Sequence, residues 1–196
     1  YELHISRPDC KNALSLAMYQ ALAEGIEFAQ QASDIKVLII SGSDGNFTSG
    51  NDLADFATAF DSLAQNDMPL LRFMVALRDF PKPVIAAVEG VAIGIGTTLL
   101  LHCDYVIARD DTRFKLPFAQ LGLCPEFASS YLLPLRVGHA KASQWLLCGD
   151  EFSGVEALAN NIANQLADEP LVAARDRATM MAKLPPKATR QSKALL

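Results

Sequence analysis

The sequence lacks the patterns that mark several large classes of protein. Its four cysteines form no CxxC pair, and no histidine stands at zinc-ligand spacing from them, which argues against a zinc site and a disulfide framework. The longest apolar run, residues 90–101, is too short and too rich in glycine to span a membrane. No Gly-Lys-Ser/Thr follows a glycine cluster, so a P-loop is excluded, and no Ser/His/Asp or Cys/His set is apparent. We therefore expect a protein of a reducing compartment, the cytoplasm, without a metal site.

Positive charge is also scarce. The sequence has 17 Lys and Arg residues against 22 Asp and Glu residues, and its formal net charge is −5. An acidic chain is a poor candidate for binding nucleic acid or an anionic membrane, and we expect neither as a partner. Hydrophobic residues make up 51% of the 196 residues, which is ample for one core, and we find no repeat or low-complexity tract.

Strand and helix patterns alternate along the first part of the chain, and helices alone follow. An alternating pattern predicts a strand at 1–6, and apolar runs predict strands at 36–41, 84–88 and 105–108, with a short extended piece at 113–115. The runs at 36–41 and 84–88 are typical of strands covered on both faces. Ser15 is a predicted N-cap of the first helix. Further helices are predicted over 53–80, from Glu126, over 140–147 and over 175–196, with a turn at 90–96. This order indicates an α/β fold with a helical C-terminal part.

Two glycine-containing turns are the most informative local feature. Residues 47–53 follow a strand-like apolar run and residues 83–98 contain one, and each segment ends in small residues that let the backbone approach a ligand closely. Two such turns could direct two NH groups at one developing oxyanion. Glycines alone also fit two tight strand-to-helix turns without a ligand. A dinucleotide site is disfavoured, because Leu99 stands where the third glycine of that fingerprint would be.

Glu126 is the candidate acid or base. It lies in an apolar segment that includes Leu123 and Phe127. Desolvation there would raise the pKa of its carboxyl, which suits a base at neutral pH. The alternative is a surface carboxylate at the start of a helix, favoured by the helix dipole.

Three other side chains have structural interpretations. Asp52 is expected to stabilise the turn at Gly50 and Asn51 through its own side chain. Cys103 and Cys148 have apolar neighbours and are expected to be buried thiols.

Taken together, these motifs resemble the enoyl-CoA hydratase/isomerase (crotonase) superfamily along nearly the whole chain. Arg7-Pro8 with Asn12-Ala13-Leu14 is similar to the family's N-terminal turn, Ser49–Leu53 to its first oxyanion-hole loop, and 83–96 with Cys103-Asp104 to its second. The resemblance implies a crotonase-like ββα spiral core over 1–139 that carries the CoA-thioester site. Residues 140–196 would form a helical C-terminal region, incomplete relative to the family, within a single crotonase-like unit.

The departures from the family pattern are equally informative. Hydratases of the family use two glutamates, and their positions hold Thr98 and Phe118 here. We therefore expect no hydratase activity. Residues 117–131 resemble the Δ3,Δ2-enoyl-CoA isomerase branch, which has its single catalytic glutamate at the position of Glu126.

The resemblance also implies a site and a reaction. The backbone NH groups of Asn51 and Ile95 would form the oxyanion hole, and their side chains would be inactive, so that Asn51→Ala should be mild. The substrate-binding residues would be Ser49, Gly50, Asp52, Leu53, Gly94, Gly96, Thr98 and Phe118. The substrate would be a 3-enoyl-CoA of fatty-acid β-oxidation, with no cofactor beyond the coenzyme A of the substrate and no metal. The assembly would be a homotrimer or a dimer of trimers.

Three alternatives stay open on the sequence. The first is another crotonase-type reaction, such as a hydratase-like, dienoyl isomerase or thioesterase reaction. The second is a non-catalytic module that binds acyl-CoA or protein. The third is an α/β scaffold whose loops bind something unrelated.

Overall fold

A parallel five-stranded sheet forms the centre of the molecule. The computed structural model describes residues 1–55 and 68–196. The strand order is β1-β2-β3-β5-β8, and neighbouring strands all run parallel. The strands are β1 (Glu2–Ile5), β2 (Leu38–Gly42), β3 (Val84–Val88), β5 (Tyr105–Ala108) and β8 (Gln165–Leu166). A second sheet of three short strands contains β4 (Val91–Ile93), β6 (Arg113–Lys115) and β7 (Phe152–Ser153).

Helices cover the main sheet and continue to the C-terminus. In chain order they are α1 (Leu16–Gln31), α2 (Pro69–Arg78), α3 (Ile95–Thr98), α4 (Ser129–Val137), α5 (His139–Ser143), α6 (Gly154–Ala159), α7 (Pro170–Ala182) and α8 (Pro186–Leu195). Short 3-10 helices occur at Pro8–Cys10, Leu99–His102 and Ala119–Leu121, and a π-helix at Gln144–Cys148. Ser15 caps α1 as predicted, because its Oγ accepts a hydrogen bond from Met18 N at 3.3 Å.

The side chains of β2 and β3 point alternately into two apolar clusters. Leu38 and Ile40 belong to the larger cluster, which includes residues of α1 and α2. Val37 and Ile39 belong to the smaller one, which includes residues of α7. Every residue of β2 and β3 is buried, so the prediction of strands covered on both faces is confirmed.

The structure corrects three of the expectations. The predicted turn at 90–96 contains β4, and the C-terminal region, expected to hold helices alone, contributes β7 and β8 to the two sheets. Strands of two or three residues carry too little apolar alternation to be detected in a sequence. Cys103 is buried as expected, but Cys148 is exposed at the end of the π-helix. Residues 56–67 of the predicted helix at 53–80 lie outside the described residues.

Candidate active site

The two glycine-containing turns lie side by side at the carboxyl ends of the strands of the main sheet. Residues 47–52 of the first turn follow β2, and residues 89–95 of the second turn follow β3. Thr48 N donates to Val91 O at 3.0 Å, and Ile93 N donates back to Thr48 O at 3.1 Å. Because neighbouring parallel strands end at the same edge of a sheet, turns that are distant in sequence meet there.

Glycine is required where these turns touch. Gly50 has a φ of 97°, and a Cβ atom on it would lie 2.8 Å from Ile93 O. A Cβ atom on Gly96 would lie 2.6 Å from Thr48 Cγ2. Any larger residue at either position would push the two turns apart.

The amides of Asn51 and Ile95 differ from those of their neighbours. Gly50 N donates to Thr48 Oγ1 at 3.1 Å and Asp52 N to Leu14 O at 2.9 Å. Gly94 N donates to Lys115 O at 2.9 Å. Among the turn and loop hydrogen bonds of the described residues, none uses the amide of Asn51 or Ile95. Ile95 is the first residue of α3, where an NH has no partner within the helix.

A cavity of about 700 Å³ opens over the two turns. It brings together most of the residues that the sequence suggested as site residues: Ser49, Gly50, Asn51, Asp52, Leu53, Gly94, Ile95, Phe118 and Glu126. The remaining lining residues are Cys10, Ala13, Ala54, Ile93, Pro117, Leu121, Leu123 and Cys124. The lining is mostly apolar and has a small number of polar groups, as ligand cavities usually do.

Two residues expected to contact substrate do not line this cavity. Thr98 is fully buried, and its hydroxyl lies 3.5 Å from Ile95 O. Gly96 packs against Thr48 instead. Both are buried residues of α3.

Glu126 does not begin a helix. Helix α4 starts at Ser129, and the two residues before it, Phe127 and Ala128, have φ values of 53° and 55°. Two consecutive residues with left-handed φ values cannot belong to a right-handed helix. The prediction that a helix begins at Glu126 is therefore wrong. Ser129 closes the turn, since its N and its Oγ donate to Glu126 O at 2.9 and 2.6 Å. The turn places the Glu126 side chain in the wall of the cavity.

The environment of Glu126 favours its neutral form. Desolvation raises the pKa of Glu126 from 4.5 to about 7, and the side chain of Asn51 lowers it in part. One carboxyl oxygen, Oε1, is buried with no hydrogen-bond partner among the described residues. The expectation of a raised pKa is therefore confirmed. A carboxyl that titrates near neutral pH can both accept and return a proton.

Sequence reasoning missed the contribution of Tyr19. Its phenol donates a hydrogen bond to Asn51 Oδ1, and only 2% of the residue is exposed. Burial raises the pKa of Tyr19 well above 10, and the negative charge of Glu126 raises it further. Tyr19 is therefore a fixed donor that orients the Asn51 amide. Tyr19 and Asn51 are 32 residues apart in the chain, so no local signal in the sequence could have revealed this contact.

Asp52 also differs from its expected role. Its carboxylate accepts from Arg7 Nη1 at 2.5 Å and from Ala54 N at 3.0 Å. The bond from Arg7 holds the pKa of Asp52 below its usual value. Asp52 thus ties the first turn to the N-terminal segment rather than crossing the turn at Gly50. Among the described residues that line the cavity, Glu126 is the one carboxyl without a cationic partner.

Two further properties bear on the class of site. Within residues 1–55 and 68–196, no three His, Cys, Asp or Glu side chains are grouped so that they could hold a metal ion. Over the same residues, no helix combines the length and the apolar character needed to cross a bilayer.

Comparison with known proteins identifies the family. The family described as "Enoyl-CoA hydratase/isomerase" matches residues 1–196. The chain therefore belongs to the enoyl-CoA hydratase/isomerase family, and its fold is crotonase-like. The solved structure of Pseudomonas aeruginosa OdaA superposes with a TM-score of 0.94 at 49% identity, covering 99% of this chain and 79% of that one.

Curated relatives include both isomerases and hydratases. Enoyl-CoA delta isomerase 2 of Rattus norvegicus is 36% identical over 201 residues, covering 100% of this chain and 51% of the relative. The 2,3-dehydroadipyl-CoA hydratase of Escherichia coli (strain K12) is 34% identical over 197 residues, covering 99% of this chain and 76% of the relative. The chain thus spans about half the length of the delta isomerases that it matches.

Proposed function

We propose that this chain is a Δ3,Δ2-enoyl-CoA isomerase that converts 3-enoyl-CoA into 2-trans-enoyl-CoA in fatty-acid β-oxidation. Glu126 is the observation that carries the proposal. Its side chain is half-buried in the wall of the cavity, with Oε1 fully buried. The amides of Asn51 and Ile95, which make no turn or loop hydrogen bond within the described residues, belong to the same cavity. A reaction that needs one acid–base group and one oxyanion hole matches this arrangement. The similarity to enoyl-CoA delta isomerase 2 supports the same reaction.

The reaction would proceed in two proton transfers. The thioester oxygen accepts hydrogen bonds from the backbone NH groups of Asn51 and Ile95. Glu126 removes a proton from C2, and the electron pair of the broken C–H bond delocalises onto the thioester oxygen and, through the C3–C4 double bond, onto C4, which forms a dienolate. Each NH group contributes roughly 3–4 kcal/mol to the stabilisation of this charge in the transition state. Glu126 then returns the proton to C4, which leaves the double bond between C2 and C3.

The near-neutral pKa of Glu126 suits both transfers. An ionised carboxylate is needed to take the C2 proton, and a neutral carboxylic acid is needed to give it back. A pKa of about 7 leaves both forms accessible at physiological pH. A carboxyl with a pKa of 4.5 would be a weaker base at C2.

The rest of the site disfavours the addition of water. Hydration requires an acid and a base on either side of the attacking water. The two positions that carry glutamates in hydratases of the family hold Thr98, whose hydroxyl lies near Ile95 O, and Phe118, which is 5% exposed. Asp52 is already paired with Arg7. We therefore expect hydration and thioester hydrolysis to be slow beside isomerisation.

The test is the conversion of 3-hexenoyl-CoA into 2-trans-hexenoyl-CoA, followed by the absorbance of the conjugated thioester. The wild type should be active, and Glu126→Gln should lose nearly all turnover while it still binds CoA. The matched control is Glu169→Gln, which makes the same change at an exposed carboxylate before α7. Activity that survives in Glu126→Gln would refute the single-base mechanism.

Two competing activities need their own assays. Hydration of 2-trans-hexenoyl-CoA and release of free CoA should both be followed by chromatography. A thiol reagent is unsuitable, because Cys10, Cys124 and Cys148 are exposed and would react with it. A wild type that hydrates or hydrolyses faster than it isomerises would assign another crotonase-type reaction. Tight CoA binding without any turnover would indicate a binding module.

We also propose that the chain assembles as a homotrimer or a dimer of trimers. Helix α4 exposes two large apolar side chains one helical turn apart, Tyr131 and Leu135, each 68% exposed. Such a pair on the element that follows Glu126 is suited to burial against a second copy. Light scattering after size exclusion should give three or six times the mass of the chain, and a monomer at micromolar concentration would contradict the proposal.

A further inference from the structure

His102, which has no role in the proposed reaction, contacts Phe127, the residue that follows Glu126. His102 ends the 3-10 helix Leu99–His102. Its Nε2 lies 2.9 Å from Phe127 O, and its ring stacks on the Phe127 ring with centroids 3.7 Å apart and an interplanar angle of 16°. Because a carbonyl oxygen only accepts hydrogen bonds, His102 donates through Nε2. Burial lowers the pKa of His102 from 6.5, which favours the neutral ring.

These contacts fall on the strained part of the Glu126 turn. Phe127 and Ala128 both have positive φ, and neither is glycine. Residues with a side chain hold this conformation only when their surroundings impose it. Relaxation to negative φ would extend α4 backwards by one turn and carry the Glu126 side chain away from its present direction. Ser129 fixes one end of the turn, and His102 holds its centre.

The same histidine links the base to the oxyanion turn. Residues 95–102 form one continuous helical segment, made of α3 and the 3-10 helix. This segment carries the Ile95 amide at one end and His102 at the other. Helix α4 is tied to it a second time, since Arg136 Nη2 donates to Leu101 O at 2.7 Å. The distance between Glu126 and the Ile95 amide is therefore set by two contacts, that of His102 with the turn and that of Arg136 with the segment 95–102.

We infer that His102 is a positioning residue: through its ring stack and its hydrogen bond to Phe127 it holds the left-handed turn that directs Glu126 into the cavity. The kinetic consequence rests on the proposed function, whereas the structural consequence does not. His102 is not among the residues that line the cavity. Its loss should therefore affect the placement of the carboxyl and hence kcat, and leave thioester binding nearly unchanged.

The first measurement is the titration of Glu126 itself, by carbon NMR of protein labelled at glutamate carboxyls, with Glu126→Gln to assign the signal. In the wild type the midpoint should lie near the pKa of about 7. In His102→Ala a relaxed turn exposes the carboxyl, and the midpoint should fall by about one pH unit or more toward 4.5. A purely structural role would lower stability without moving this midpoint.

The second measurement is turnover of 3-hexenoyl-CoA. His102→Ala should lower kcat about 10- to 100-fold with KM within about twofold, as expected for a misplaced base. His102→Gln keeps an NH donor near the position of Nε2, and His102→Phe keeps the stacked ring. Each should restore part of the kcat and part of the titration midpoint. His139→Gln is the matched control, because His139 is an exposed histidine on α5.

The outcomes separate this inference from the proposed function. A folded His102→Ala with the wild-type midpoint overturns the inference, whether or not the wild type is an isomerase. An inactive wild type refutes the proposed function, and the titration still decides the role of His102. If His102→Ala does not fold, wild-type midpoints and kcat in both His102→Gln and His102→Phe overturn the inference.

Discussion

Glu126→Gln should make the protein more stable at alkaline pH while it abolishes turnover. The carboxyl is buried mainly in apolar surroundings, and its pKa is raised from 4.5 to about 7. At about 1.4 kcal/mol per pKa unit, this rise means that ionising Glu126 costs the folded protein about 3 kcal/mol. A neutral amide of the same shape avoids that cost. The proposed catalytic group is therefore expected to be a source of instability in the folded state.

The pH window of this effect follows from the direction of the shift. Between pH 4.5 and about 7, the folded protein keeps the proton of Glu126, whereas the unfolded chain has lost it. The free energy of unfolding of the wild type should therefore fall as the pH rises through this window, and stay low above it. The Gln variant lacks this contribution. The two proteins should be equally stable below pH 4.5, and the variant should be more stable by about 3 kcal/mol above pH 8.

The assay is urea denaturation of both proteins across pH 4–9, with Glu169→Gln as the matched control. The difference in unfolding free energy between the wild type and Glu126→Gln should follow a single titration centred between the two pKa values. The wild-type kcat/KM should rise with pH to a plateau above about 7, because in the proposed reaction the ionised Glu126 takes the C2 proton. A Glu126→Gln variant no more stable than the wild type at pH 8 would refute the argument that burial raises this pKa.

Three further predictions concern the supports of the site. Tyr19→Phe leaves Asn51 Oδ1 without its buried donor and should lower the unfolding free energy by about 1–3 kcal/mol in urea denaturation. Gly96→Ala would place a Cβ atom 2.6 Å from Thr48 Cγ2 and displace the Ile95 amide. Steady-state kinetics should then show a kcat about 100-fold lower, with CoA binding retained. Lys82→Met removes hydrogen bonds of 2.5 and 2.7 Å to the carbonyls of Ala29 and Ala32 at the end of α1, and thermal unfolding at pH 7 should show a loss of about 2–4 kcal/mol.

Four of the five strands of the central sheet, β1, β2, β3 and β5, were accessible from the sequence because their signals are local, whereas β8 was not. The runs at 37–40 and 84–88 are apolar without interruption, a pattern typical of a strand buried on both faces. Ser15 was recognisable for a similar reason, since a cap acts within its own first turn. The second sheet was not accessible as a sheet, since only residues 113–115 were predicted to be a short extended piece. Its strands β4, β6 and β7 have two or three residues each, and their pairing depends on segments far apart in the chain.

Part of the candidate site could likewise be predicted from the sequence, and part of it could not. The turns around Asn51 and Ile95 carry glycines that the close approach of two backbones demands, so their meeting could be predicted. The position of Glu126 in an apolar segment likewise indicated a raised pKa. Its left-handed turn could not be predicted, because Phe127 and Ala128 are residues that normally avoid positive φ. Tertiary contacts impose that conformation, and no local sequence pattern indicates those contacts.

Asn51 connects the two halves of the proposed chemistry. Its backbone NH is a proposed oxyanion donor, and its side chain lies between the phenol of Tyr19 and the carboxyl of Glu126. Desolvation raises the pKa of Glu126 and the Asn51 amide lowers it, so the balance between them sets the strength of the base. A cation at this position would favour the carboxylate so strongly that returning the proton to C4 would become difficult. An apolar residue would leave the carboxyl neutral and unable to take the C2 proton at neutral pH. A neutral amide held by Tyr19 lies between these extremes, and for this reason Asn51→Ala should not be mild, as the backbone argument alone implied, but should raise the pH at which kcat/KM reaches its plateau.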